Sequence, residues 1–495
     1  MKKKLLTLIC CLMAGVLSLL GFAACGKVSL LEENLIDDNY DNYYEIFVRS
    51  FRDSDGDGVG DLNGVTEKLD YIRDLGYTGI WLMPIHPSPS YHGYDVKDYY
   101  NVNPNYGTME DYDNLLTAAH EKGIKVIIDL VVNHTSSQHP WFTASASGDA
   151  KYRSYYTWSS SYKEGYNKNG NSYYESWFSG DMPDLNLDNS AVRGEIENIM
   201  KFWLEKGTDG FRLDGVMYYY KTDGQKSVDF CKWIKDTAVK YNENAYIVGE
   251  AWTNRSTITD FYKSGCDSFF CFPAAQADGY IASSVNTQSA ATYWSSIKYV
   301  NDMAGQYIPA PFICNHDTGR AAGIMQRDPE KIKFAYGLLS MYSGNTFTYY
   351  GDEIGMIGSQ NDPDKRIGML WDKPENVTKA PPGVTSTEYI FDGVDKQLKD
   401  KNSILNYYKV CNNVRNAFPS IMRGTTKLLA NDDPYVLAFS KTYGDETVKI
   451  VINFSTEKKT VTVDGKLAQG ICVSGSVKQG SGTLTMPKYS IAILT

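Results

Sequence analysis

Four short segments of this sequence end apolar runs with groups that can exchange protons or attack carbon. They are Asp129-Leu-Val-Val-Asn133-His134, Gly210-Phe-Arg212-Leu-Asp214, Gly249-Glu250-Ala-Trp252 and Asn315-His316-Asp317. Carboxylates and imidazoles in such places serve as nucleophiles, general acids and general bases. Any one of them alone reads as a strand end meeting solvent; four together are less simply explained. A fifth segment, Asp53-Ser-Asp55-Gly-Asp57-Gly-Val59-Gly-Asp61, sets acidic residues at alternate positions among glycines. Its oxygens, with the backbone carbonyl of Val59, have the spacing to wrap one structural calcium ion. The twelfth position of an EF-hand falls on Gly64 rather than Glu, so this is a different loop.

The elements that must hold these groups alternate. Strand-like runs at 43–48, 79–84, 125–132, 210–214, 245–250, 268–272, 312–315 and 346–350 are separated by amphipathic helical stretches. That rhythm predicts an α/β fold, a (β/α)8 TIM barrel over 40–134 and 189–420. Residues 135–188, rich in Tyr, Ser, Gly, Asn and Trp, break the rhythm and are expected to form an inserted domain after the third strand. Short β-rich runs after residue 420 predict a C-terminal antiparallel β-sandwich over 421–495. In such a barrel the reactive groups sit where strands end, beneath the βα loops. Arg212 and Asp214 share one side of their strand, and a guanidinium there favours the ionised carboxylate.

Taken in order, these segments resemble the conserved regions of the α-amylase family of glycoside hydrolases. Met182-Pro-Asp184-Leu-Asn186, Tyr91-His-Gly-Tyr94 and Gly351-Asp-Glu-Ile-Gly355 resemble further family segments, and the likeness covers about residues 40 to 495. The resemblance implies a retaining hydrolysis in which Asp214 is the nucleophile, Glu250 the general acid and base, and Asp317 the third carboxylate, bonded to sugar hydroxyls. It further implies that Tyr94, Asp95, His134, Arg212, His316 and Arg366 contact or position the substrate. The Asp53–Asp61 loop resembles the calcium loop of oligoglucosidase-like members. Elsewhere the chain departs from the family. Tyr218 stands where the family's second calcium site has a histidine, which puts that site in doubt. Met217 replaces a lysine that many α-amylases use beyond the cleavage point, so binding on the leaving-group side is not expected to follow their pattern.

The implied activity is cleavage of internal α-1,4 bonds of starch and maltooligosaccharides. An exo-acting α-glucosidase or oligo-1,6-glucosidase is the alternative, because Asp95 and Arg366 match positions that pin a terminal glucose in exo-acting relatives. A non-catalytic glucan-binding relative is the third reading, opposed by the retention of all three acids.

Lys2, Lys3 and Lys4, an apolar run over 5–20 and small residues at Ala23 and Ala24 have the order of a secretory signal over 1–25. Phe22-Ala-Ala-Cys25 resembles a lipobox, which implies lipidation of Cys25, a polar tether over 26–39 and an extracellular protein anchored to the membrane only by lipid. Phe22 departs from the usual aliphatic residue, so simple cleavage and secretion stays open. A net charge of −10 without a basic stripe opposes a nucleic-acid partner, and a monomer is expected. The thiols, sparse and unpatterned outside the leader, are expected to be buried and unpaired. The 13% aromatic content suits a carbohydrate ligand, which packs on flat rings.

Overall fold

The computed structural model describes residues 28–358 and 361–495. The leader and Cys25 lie outside the described residues. The stretch expected as a tether is docked over part of its length: Glu33 pairs with Arg73, Leu31 N–H donates to Asn413, and Asp38 takes a two-pronged bond from Arg423.

Ten strands precede the C-terminal region. β1 (Asn42–Ile46), β2 (Gly79–Leu82), β3 (Lys125–Leu130), β7 (Gly210–Leu213), β8 (Tyr246–Gly249), β9 (Ser268–Phe269) and β10 (Thr346–Tyr349) form one parallel sheet in the order β10-β1-β2-β3-β7-β8-β9. The expected strand at 312–315 makes no ladder. Ala310 and Phe312 instead form single bridges to Phe270 and Phe347, and so close the barrel between β9 and β10. Pro309 and Pro311 flank Ala310, and their missing N–H groups explain why the segment bridges without pairing continuously. β1 also ends earlier than expected, because Val48–Phe51 turns helical.

The period of two along each strand sorts the barrel interior into layers. Tyr43, Trp81, Ile127, Tyr246, Val248, Phe270, Phe312 and Phe347 fill it with an apolar plug, in which Tyr43 stacks on Tyr246 and Phe347 at 5.3 and 4.9 Å. Gly79 is required there, since a Cβ would lie 2.5 Å from the Tyr43 ring. Two residues further on, the same faces carry Glu45, Asp129, Arg212 and Glu250, a charged layer resting on the plug.

The insertion contributes a small antiparallel sheet of β4 (Trp158–Ser159), β6 (Ser172–Glu175) and β5 (Tyr166–Asn169). It is tied to the barrel mouth by a bridge from His134 to Asp184, and a bridge from Tyr156 to Leu185 closes it internally. The C-terminal strands run from β11 (Thr425–Leu428) through β12 (Val436–Tyr443), β13 (Glu446–Asn453), β14 (Lys459–Thr462), β15 (Leu467–Cys472), β16 (Lys478–Gln479) and β17 (Thr483–Met486) to β18 (Ser490–Leu494). They form two antiparallel sheets, five- and three-stranded, whose apolar faces share Val436, Val451, Leu484, Met486 and Leu494.

Lys441 of β12 is fully buried where this sandwich meets the barrel. Its ammonium donates to Ile421 O at 2.6 Å and Ser343 Oγ at 2.9 Å, with no carboxylate partner among the described residues. Burial, helped by the charge of Arg415, holds its pKa well below the ordinary lysine value of 10.5. The unfolded chain therefore binds more protons there than the fold does, and stability should rise with pH up to about 10.5. Lys441→Met is expected to remove that contribution: denaturant melts at about pH 8 to 10 should show a flatter stability–pH slope than the parent.

Candidate active site

A cavity of about 480 Å³ opens at the carboxyl end of the barrel strands. Asp214, Glu250, Asp317, Tyr94, His134 and Arg366 line it. The structure thus brings the three candidate acids to one hollow from the ends of three separate segments.

Arg212 lies directly beneath them, with no exposed surface. Its Nη1 donates to Asp129 Oδ1 and to Asp214 Oδ1, the latter at 2.8 Å, and its Nη2 is 2.9 Å from Glu250 Oε2. The last contact is an ion pair whose angle is too poor for a hydrogen bond. Trp81 supports the layer from below, donating from Nε1 to Asp129 Oδ2 at 2.9 Å and offering its ring to the guanidinium at 5.1 Å. Register explains the meeting: Asp129 and Arg212 are paired across β3 and β7.

Glu250 follows the last residue of β8 and is 8% exposed. Burial pushes its pKa up to about 7, against the pull of Arg212 and with added repulsion from Asp214 and Asp317. Its Oε2 accepts the Gly215 N–H at 3.2 Å, whereas Oε1 has no hydrogen-bond partner among the described residues. A proton on this carboxyl therefore belongs on Oε1. Gly215 reaches this position through a left-handed turn (φ +47°), where a Cβ would also stand 3.0 Å from the Phe178 ring. Trp252 is not the agent of the shift. It is half exposed and stacks on Phe272 at 4.9 Å, on the rim of the cavity beyond Glu250.

Asp317 is set by two cationic neighbours. His316 Nε2 lies 3.0 Å from its Oδ2 and Arg366 Nη2 donates to its Oδ1 at 2.9 Å. Burial opposes ionisation, but His316 and Arg366 outweigh it and hold the Asp317 carboxyl well below the usual range. His316 is itself pushed up to about 10: burial lowers it, and Asp317 on one nitrogen and Glu45 on the other at 2.6 Å raise it further. The imidazolium is thus a charged link between a carboxylate inside the barrel and one facing the cavity. Tyr94 OH sits 2.7 Å from His316 Nε2, and the two rings stack at 5.5 Å.

Three residues expected to touch a ligand lie behind the cavity wall instead. Arg212 and His316 are wholly buried and bonded to protein groups. Asp95 is 4% exposed, with Oδ1 taken by the Ser88 and Ser90 hydroxyls. Asp95 is drawn inward because two neighbouring hydroxyls satisfy its charge better than an open rim would. His134 does reach the cavity; its Nε2 contacts Tyr94 O at 3.1 Å, and burial lowers its pKa.

Other residues of the site escaped the sequence reading. Phe178, from the insertion, packs on Tyr218 at 4.2 Å and His134 at 5.1 Å, forming an aromatic edge. Lys221 lines the same side, its ammonium 3.9 Å above the Tyr218 ring. His92 and Asp362 complete the wall, and Tyr91 OH donates to Asp362 Oδ2 at 3.1 Å. Only Glu45 had a readable signal, an acidic residue inside an otherwise apolar strand.

The acidic loop lies away from this cavity. Carboxylate oxygens of Asp53, Asp55 and Asp61 gather within 4.8 Å of one another. Asp57 stands outside that trio: its Oδ1 accepts from Val59 N at 2.6 Å, and Lys379 donates to its carbonyl. Asp61 also caps the helix Leu62–Glu67, through Gly64 N at 2.7 Å. A trio of hard oxygens fits a cation such as calcium.

A family model described as the α-amylase catalytic domain matches residues 45–424. Alpha-amylase 3 of Dictyoglomus thermophilum is 39% identical over 469 residues, covering 91% of this chain and 92% of that protein. An oligo-1,6-glucosidase of Parageobacillus thermoglucosidasius is 31% identical over 511 residues, with 83% and 89% covered. The solved structure of Eubacterium rectale Amy13B superposes with a TM-score of 0.89 at 42% identity, covering 94% of this chain and 96% of that one.

Removing the shared cation should expose what it balances. Arg212→Met leaves Asp129, Asp214 and Glu250 facing one another in a buried layer, at an expected loss of about 3–5 kcal/mol of stability. Urea denaturation at neutral pH should show that loss. It should shrink as pH falls from about 7 towards about 4, because Asp129 and Glu250, raised by burial even with Arg212 in place, take up protons once the cation is gone.

Proposed function

This chain belongs to the α-amylase family of glycoside hydrolases and is an α-glucan hydrolase, and from that premise we propose that it is a retaining α-amylase cutting internal α-1,4 bonds of starch and maltooligosaccharides. The observation that carries the chemistry is the single guanidinium of Arg212 against two carboxyls with opposite tasks. In this reading Asp214, paired to Arg212, attacks the anomeric carbon. Glu250, its pKa raised by burial, gives its carboxyl proton to the departing glycosidic oxygen. The glycosyl–Asp214 ester then yields to water, whose proton returns to Glu250. Asp317, held ionised by His316 and Arg366, accepts hydrogen bonds from the sugar as the ring flattens. Tyr94 and His134 bound the same sugar, while Arg212 and His316 act through the carboxylates they hold.

Two features favour cleavage within a chain over removal of a terminal glucose. Asp95 is not among the residues lining the cavity and its Oδ1 is held by Ser88 and Ser90, so the pair expected to pin a chain end is incomplete there. The exposed face of Trp252 continues the surface past the acid, where a leaving sugar would rest.

The reading includes one structural calcium ion, held by Asp53, Asp55 and Asp61, with Asp57 and the Val59 carbonyl as further donors. Its charge would offset the repulsion among these carboxylates and tighten the turn after β1. It also includes a monomer working outside the cell, carried there by the leader and either lipidated at Cys25 or released.

Asp214→Asn is expected to abolish turnover of amylose, and Glu250→Gln to lower it by about 10²–10⁴-fold, both with the parent's thermal midpoint. The parent's rate should fall as pH rises through about 7, the point at which Glu250 loses its proton. Mixed maltooligosaccharides from amylose are the expected products; glucose alone would instead establish the exo-glucosidase. For the loop, calorimetry should show a higher unfolding temperature with added calcium, a rise that Asp53→Asn reduces; no shift would remove the ion from the reading.

A further inference from the structure

The described residues include six cysteines, and none is in a disulfide. Cys231 and Cys266 differ from the others because they meet. Cys266 Sγ donates to the Cys231 carbonyl oxygen at 3.5 Å, and the Cys266 thiol is close enough to add to burial in raising the Cys231 thiol pKa. Both are fully buried. Cys231 lies in the helix Gly224–Tyr241 and Cys266 in the turn after the helix Arg255–Tyr262, just before β9. The 35-residue separation between them carries β8 and Glu250. Above the pair is Tyr219, buried with a hydroxyl that has no hydrogen-bond partner, which feels the charge of Asp214 on one side and the thiols on the other.

We propose that Cys231 and Cys266 are an oxidisable pair, which a small-molecule disulfide converts into a cross-link around the segment bearing Glu250. The thiolate of one cysteine attacks a reagent sulfur; the reagent S–S bond breaks and its first thiol leaves with a proton. The second cysteine then attacks the mixed disulfide, forming the protein S–S bond and releasing the second reagent thiol. Two protein thiols are oxidised and one reagent disulfide is reduced to two thiols. Burial raises the Cys231 thiol pKa, so exchange in the closed fold is slow. The cross-link ties the Cys231 helix to the base of β9 and restricts the unfolded chain.

The test uses the purified full chain, held with glutathione disulfide a few degrees below its unfolding midpoint, then alkylated, digested and weighed. The expected result is a Cys231–Cys266 peptide pair two hydrogen atoms lighter than its parts, reversed by dithiothreitol, with the midpoint raised by about 5 °C. C231A and C266A should each lose the cross-link and the rise, while C472A keeps both. Alkylation of both Cys231 and Cys266 after incubation, or reagent adducts confined to the half-buried Cys472, overturns the proposal.

Discussion

One buried guanidinium organises the mouth of this barrel. Arg212 is surrounded by Asp129, Asp214 and Glu250, and none of the four has access to bulk water sufficient to dissipate its charge. A buried cation of this kind is costly alone and tolerable only when its partners are fixed around it. Its partners are not equivalent, however. Asp214 has a well-aligned bond at 2.8 Å, whereas Glu250 has proximity without alignment. Asp129, beneath both, is pushed up to about 6 chiefly by burial, with Arg212 pulling against it. The same cation thereby makes an aligned bond on one side, while burial on the other leaves Glu250 exchanging its proton at about pH 7.

The layers below exist to make that arrangement rigid. Stacked rings of Tyr43, Tyr246 and Phe347 fill the barrel to just below the charges, so no water reaches them from the amino-terminal end. A second charged chain, Glu45 to His316 to Asp317 to Arg366, flanks the first and alternates in sign at each step. Because each link is short and mostly buried, a change at one carboxylate is felt by the next. The mouth is best regarded as one coupled ionic network rather than a set of independent side chains.

Much of this was legible in the sequence because strand periodicity and motif spacing are local. The alternation that puts Tyr43 and Glu45 on one face, or Arg212 and Asp214 on one face, requires no knowledge of the rest of the chain. The barrel was readable for the same reason, though its seventh position was not, since two prolines turned a β-like run into a bridging segment. The docking of residues 31–38 was hidden, because ion pairs with Arg73 and Arg423 depend on helices far along the chain.

The residues that line the wall divide the same way. Asp214, Glu250 and Asp317 were identifiable because each ends its own apolar run. Phe178, Lys221 and Asp362 were not, because they lie in loops without period whose only specification is where the folded chain carries them. The fate of Asp95 and His316 was equally a matter of folding: serines two chain turns away claim one, and a glutamate on the first strand claims the other. The sequence by itself therefore determined which acidic groups gather at the barrel mouth, since residue type and strand parity are written locally. The tertiary structure alone decided how Glu250, Asp317 and His316 titrate and which groups line the cavity, because both follow from burial and from neighbours that folding brings together.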